Sequence, residues 1–116
     1  MHNPKMLVAQ TILTQIISQN PSYKKEYNVK NMMSLSDKGG GLRLNTHQNS
    51  NTVNIDIIYD LGKDTYEIKA YKFNLKKMII TPKAVYDADD IYFEQLDDAI
   101  KSAIKTAKIT KLKNVI

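Results

Sequence analysis

Residues 52–73 read TVNIDIIYDLGKDTYEIKAYKF. Val53, Ile55, Ile57 and Tyr59 alternate with Asn54 and Asp56. After the break Asp60-Leu61-Gly62-Lys63-Asp64, Tyr66, Ile68 and Ala70 alternate with Glu67, Lys69 and Tyr71. Successive side chains of a strand point to opposite faces. The stretch therefore predicts a β-hairpin, strands 52–59 and 65–73, with one buried and one wet face.

Upstream of the hairpin, Leu42-Arg43-Leu44 repeats the alternation and predicts a strand at about 41–46, entered through a turn at Gly39-Gly40-Gly41. Thr46 to Thr52 is rich in Asn, Gln and Ser and reads as a polar loop. Residues 22–38 carry Tyr23, Tyr27, Val29, Met32, Met33 and Leu35 without a clean period; a short turn of helix and a strand at about 31–36 are expected. Downstream, Met78-Ile79-Ile80 predicts a strand at about 77–81 that ends at Pro82.

Two amphipathic helices flank these strands. Asn3 caps and Pro4 opens the first, at 4–19, and Asn20-Pro21 stops it. Its apolar face is read as Met6, Ala9, Leu13, Ile16 and Ile17, widened by Val8 and Ile12. The second is expected at about 89–108, opened by Asp87-Ala88-Asp89-Asp90, with a stripe of Ile91, Phe93, Leu96, Ile100, Ala103, Ile104 and Ala107. Acids at its start and lysines at its end complement the helix dipole. The expected whole is one α+β domain over 1–116. It has an N-terminal helix, an antiparallel sheet of four to five strands, and a C-terminal helix packed on one sheet face.

Composition narrows the function classes. There is no cysteine, which excludes disulfides and thiolate metal sites. No apolar run approaches the roughly 20 residues of a membrane helix, and the N-terminus lacks the apolar stretch of a secretory signal. A soluble protein of the cytoplasm is expected. The net charge is +5 and the pI about 9.3, which favours acidic partners such as nucleic acid. Arg43 is the only arginine, however, and base-edge readout relies on arginine. Abundant Lys, Asn, Ile and Tyr also fit A/T-rich codons and an ordinary solvated surface.

Several constellations invite chemistry. Gly39-Gly40-Gly41 lacks the Gly-Lys-Ser/Thr ending of a phosphate loop and reads as a turn. His2 and His47 have no partner at useful spacing, so neither a catalytic triad nor a zinc site is expected. Asp87, Asp89, Asp90 and Glu94 can be read as oxygen ligands for a divalent cation, but as acids at a helix start they read more simply as caps. No cofactor and no metal site is expected.

Asp56 with Glu67-Ile68-Lys69 on the next strand resembles the D…ExK signature of the restriction-endonuclease-like nucleases. That resemblance implies Mg²⁺ held by Asp56 and Glu67 and a water positioned by Lys69. The chain departs from it in carrying Gln10 and Gln15 where that family often has a Glu on its first helix, and in placing a strand rather than a helix after Lys69. The alternative is a cross-strand charge pairing worth a few tenths of a kcal/mol. A non-catalytic role is favoured.

The outer sheet face forms the remaining candidate. Arg43, Lys69, Tyr71 and Phe73, with Ile58 on a neighbouring strand and the helical lysines Lys101, Lys105 and Lys108, read as a binding surface for a protein or a nucleic acid; the alternative is plain packing, with Tyr71 and Phe73 buried by the 22–38 segment. Exposed edge strands permit a homodimer. The tail residues Ile109, Leu112, Val115 and Ile116 can dock on a neighbour.

The segments Lys30-Asn31-Met32, Gly41-Leu42-Arg43-Leu44, Val53-Asn54-Ile55, Asp64-Thr65-Tyr66-Glu67-Ile68 and Asp90-Ile91-Tyr92-Phe93-Glu94-Gln95-Leu96, in this order after an N-terminal helix, resemble a group of small phage and prophage α+β proteins. The resemblance implies a structural rather than catalytic Glu67 and a mobile-element origin. The lysine-rich tail from Lys105 to Ile116 departs from it. The expectation that follows is an accessory binding protein that meets a host or phage protein, such as an inhibitor of a nucleic-acid-guided (CRISPR) defence complex.

Overall fold

The computed structural model describes residues 4–74, 76, 79–80 and 83–111. In chain order they form α1 (Pro4–Gln19), α2 (Tyr23–Glu26), β1 (Val29–Leu35), β2 (Gly41–Gln48), β3 (Asn51–Asp60), β4 (Thr65–Asn74), β5 (Ile79–Ile80) and β6 (Tyr86–Ile91). A 3-10 turn (Phe93–Gln95) and α3 (Leu96–Ile109) follow. The strands make one antiparallel sheet in the order β1-β2-β3-β4, with β5 and β6 both paired to the other edge of β4. This is an α+β fold.

The hairpin holds the register its alternation requires. Ile55 stands opposite Ala70, Ile57 opposite Ile68 and Asp56 opposite Lys69. Its turn is organised by Asp60, whose Oδ1 accepts from the N–H groups of Gly62 and Lys63 at 3.1 and 3.3 Å. A short polar side chain that binds the backbone just after it is a common turn device.

One sheet face is covered by both long helices. Leu44, Ile55, Ile57, Ile68 and Ala70 pack with Ile12 and Ile16 of α1 and with Leu96, Ile100, Ala103 and Ala107 of α3. Each leucine or isoleucine of this set taken from water stabilises the fold by about 1.5–3 kcal/mol. Lys72 also points to this covered face. Its ammonium donates to the Thr110 carbonyl at 2.6 Å, at the end of α3, and burial lowers its pKa.

Four expectations are corrected. Residues 86–91 are a strand, so the C-terminal helix begins at Leu96 rather than near Asp89. The free edge of β4 supplies a ladder that Tyr86, Asp87, Ala88 and Ile91 join, while Val85, Tyr86 and Ile91 pack against the core. Asp90 takes φ 55° where the register slips between Tyr66 and Ile68; a short polar residue tolerates that bulge conformation. Asp87, Asp89 and Asp90 thus do not cap a helix.

The polar segment 46–52 is not a loop either. Strands run to Gln48 and from Asn51, because the inward polar groups are satisfied. Thr46 Oγ1 donates to Val53 O at 2.8 Å, and Gln48 Nε2 donates to Tyr27 O at 2.7 Å. On α1 the buried face centres on Ala9, Ile12 and Ile16, flanked by Val8 and Leu13, while Met6 and Ile17 are exposed. Phe93, expected in the buried stripe, is exposed as well. Of the strand expected at 77–81, Lys77, Met78 and Thr81 lie outside the described residues, as do His2, Asn3, Pro82 and the tail residues Leu112, Val115 and Ile116.

The triple glycine serves close packing. Gly40 adopts φ +101°, and a side chain at Gly41 would place Cβ 2.4 Å from Ile57 O. The N–H groups of Gly39 and Gly40 donate to Tyr59 O and Asp37 O at 3.1 and 2.8 Å, so they are engaged by the fold and not by an anion. No helix among the described residues is long and apolar enough to cross a membrane.

Candidate functional site

Side chains on the uncovered face stand in rows across the strands. Met33, Arg43, Asp56, Lys69 and Asp87 are successive partners on β1, β2, β3, β4 and β6. The next row is Asn31, Asn45, Asn54 and Tyr71, and the one after brings His47, Thr52 and Phe73 together. Strand parity alone puts these groups on the side away from the helices.

The charged row alternates in sign and is neutral as a unit. At its centre Arg43 Nε donates to Asp56 Oδ1 at 2.7 Å and Nη2 donates to Oδ2 at 2.8 Å. The Asp56 side chain is 7% exposed and that of Arg43 33%. The hydrogen bond to Asp56 is the main reason the guanidinium pKa is raised. A two-toothed pair of this kind needs the planar fork of arginine. Beside it, Asn45 Nδ2 donates to Asn54 Oδ1 at 2.8 Å. Glu67 receives Lys38 at 3.6 Å and Lys69 at 3.8 Å, both long, partly exposed contacts worth about 0–1 kcal/mol.

The three residues of the nuclease-like pattern therefore share a face, with Lys69 directly opposite Asp56 and Glu67 one diagonal step away. Both carboxylate oxygens of Asp56 are nonetheless taken by Arg43. Among the described residues no group of three or more acidic or histidine side chains is placed to hold a metal ion. Asp56 is paired with Arg43 across β2 and β3, and Lys69 with Glu67 along β4.

Arg43, Lys69, Tyr71 and Phe73 lie together on the open face. Lys101, Lys105 and Lys108 do not join them: they belong to α3, in the other layer, where they line a groove of about 320 Å³ with Glu26, Tyr27 and Ile104. Lys101 is further occupied by Asp97, at 3.1 Å. The surface expected from sequence is thus two separate surfaces.

The structure adds groups that sequence reasoning passed over. Asn31, Met32, Met33, Arg43, Asn45 and Asn54 line a shallow hollow of about 280 Å³ where β1 meets β2. Met33 is 55% exposed. Continuing the parity of Arg43 along 41–48 would have found Asn45. Met33 carries no such signal, because a register shift between Val29 and Asn31 breaks the alternation of β1.

What fold and site define is a two-layer α+β domain with a charge-balanced, open sheet face. No protein-family model matches the chain, and no curated protein and no solved structure is significantly similar to it.

Proposed function

We propose that the protein acts by binding a protein partner through the open face of its sheet, without catalysing a reaction. The observation that carries this is the neutral row Arg43–Asp56–Lys69–Asp87. Arg43 is paired with Asp56 and Lys69 with Glu67, and the row sums to zero, so the face offers no net attraction for a phosphate backbone, whose recognition is dominated by uncompensated lysine and arginine. The groups left for contact are Met33, Tyr71, Phe73 and the amides of Asn31, Asn45 and Asn54. Methionine and aromatic side chains are the types enriched in protein interfaces.

Following the phage-like sequence pattern, we take the partner to be a component of a nucleic-acid-guided defence complex in the host cytoplasm, which occupation of this face would inhibit. The test compares two surface variants. Tyr71→Ala with Phe73→Ser is expected to abolish partner binding and inhibition. Lys105→Glu with Lys108→Glu is expected to leave both intact. The reverse pattern, or DNA cleavage with Mg²⁺ that Glu67→Ala removes, contradicts the proposal.

A further inference from the structure

At the end of the sheet remote from the β2–β3 turn, Tyr59, Tyr66, Tyr92 and Phe93 surround a hollow of about 230 Å³ with Gln15, Lys63, Asp64 and Glu94. The rings of Tyr59 and Tyr66 lie 5.7 Å apart at 55°. Each is held by its hydroxyl: Tyr59 donates to Asp64 Oδ1 at 2.6 Å and Tyr66 donates to Gln15 Oε1 at 2.7 Å. Tyr92 and Phe93 are 58% and 51% exposed. Their backbone is nevertheless fixed from both sides, because the Tyr92 N–H donates to Gln95 Oε1 at 3.1 Å and Gln19 Nε2 donates to Phe93 O. Exposed rings on a held backbone are preorganised for contact.

The charge here runs against that of the whole chain. This hollow and the one adjoining it through Lys63 and Tyr66 are lined by Asp60, Asp64, Glu67, Asp89, Asp90 and Glu94 and by two lysines, Lys38 and Lys63. Both lysines are already paired, Lys63 with Asp90 at 3.3 Å and Lys38 with Glu67 at 3.6 Å. In a chain of net charge +5, the ring-lined hollow itself has Asp64 and Glu94 against Lys63, and the adjoining one brings Asp60, Glu67, Asp89 and Asp90 against Lys38 and the shared Lys63. Ring faces attract cations, carboxylates pair with them, and a planar guanidinium can stack and pair at once.

We propose that this hollow takes the guanidinium side chain of an arginine presented by a protein partner. It is a second surface, distinct from the open sheet face, and its failure would leave that reading untouched. The test titrates the full chain with N-acetylarginine amide and with its neutral isostere N-acetylcitrulline amide, observing the aromatic side-chain NMR signals. Saturable shifts of Tyr59, Tyr66, Tyr92 and Phe93 with the arginine probe alone, weakening as salt is added, are expected. Tyr92→Ser with Phe93→Ser, both at exposed positions, should raise the Kd at least about fivefold. No saturable shift with the arginine probe, or equal shifts with the citrulline probe, would overturn the proposal on the unaltered chain alone.

Discussion

Arg43 grips Asp56 with two nitrogens across β2 and β3, at 2.7 and 2.8 Å, in the middle of an otherwise uncovered sheet face. The only arginine of the chain stands where a fork is required. Arg43→Lys keeps the charge and loses one tooth, and a destabilisation of about 1 kcal/mol is expected. Asp56→Asn leaves a half-buried guanidinium without its counter-ion and should cost about 2–3 kcal/mol. Urea midpoints at unchanged slope measure both.

Asp97 gives the stability an acid limb. Its Oδ1 accepts from Asn20 Nδ2 at 2.9 Å and from the Tyr27 hydroxyl, its Oδ2 meets Lys101 Nζ at 3.1 Å, and its N–H donates to Gln19 Oε1 at 2.9 Å. Burial disfavours the charge, but the bonds from Tyr27, Asn20 and Lys101 outweigh it and hold the carboxyl below its ordinary value of 3.8. A carboxyl depressed by folding contributes stability that is complete above the unfolded value and lost as pH falls through the folded one. The Tm should therefore fall as pH drops below 3.8. Tyr27→Phe should raise the Asp97 pKa and narrow this window. Carboxyl-carbon NMR of Asp97 together with Tm against pH checks both statements.

The parts of this fold that were legible in the sequence are those where local pattern and tertiary demand agree. The period-two run from Val53 to Ala70, Pro4 at the first position of α1 and Asn20-Pro21 at its end are such places. The segment Asp87-Ala88-Asp89-Asp90 misleads because acids before an apolar stripe are what a helix start looks like. What makes it a strand is the edge of β4, a partner far away in the chain. Thr46 and Gln48 mislead because buried polar groups look like loop residues until their acceptors, Val53 O and Tyr27 O, are known. The shared face of Arg43, Lys69, Tyr71 and Phe73 followed from parity. Parity says nothing of which layer a helix occupies, and α3, with Lys101, Lys105 and Lys108, lies in the layer opposite that face.

Gly41 is a steric requirement rather than a flexible link. Its missing Cβ would lie 2.4 Å from Ile57 O, where β2 enters its ladder with β3. Gly41→Ala should cost more than about 2 kcal/mol. A change below about 0.5 kcal/mol, the range of ordinary surface substitutions, would mean that the strands approach less closely.

The two sides of α1 should respond unequally. Ile12 is fully buried and Ile17 is exposed. Ile12→Ala is expected to lose about 2–5 kcal/mol, Ile17→Ala under about 0.5 kcal/mol. Thermal unfolding of the pair checks which face of the helix meets the sheet.

The open sheet face is tested most directly by site-specific photo-crosslinking in the cell where the protein acts. A benzophenone amino acid is introduced in turn at Tyr71, at Met33, and at Lys105 on α3. Adducts to one and the same protein from Tyr71 and Met33, and none from Lys105, are the predicted result. Adducts from Lys105 alone, or adducts to nucleic acid from Tyr71 and Met33, would contradict it.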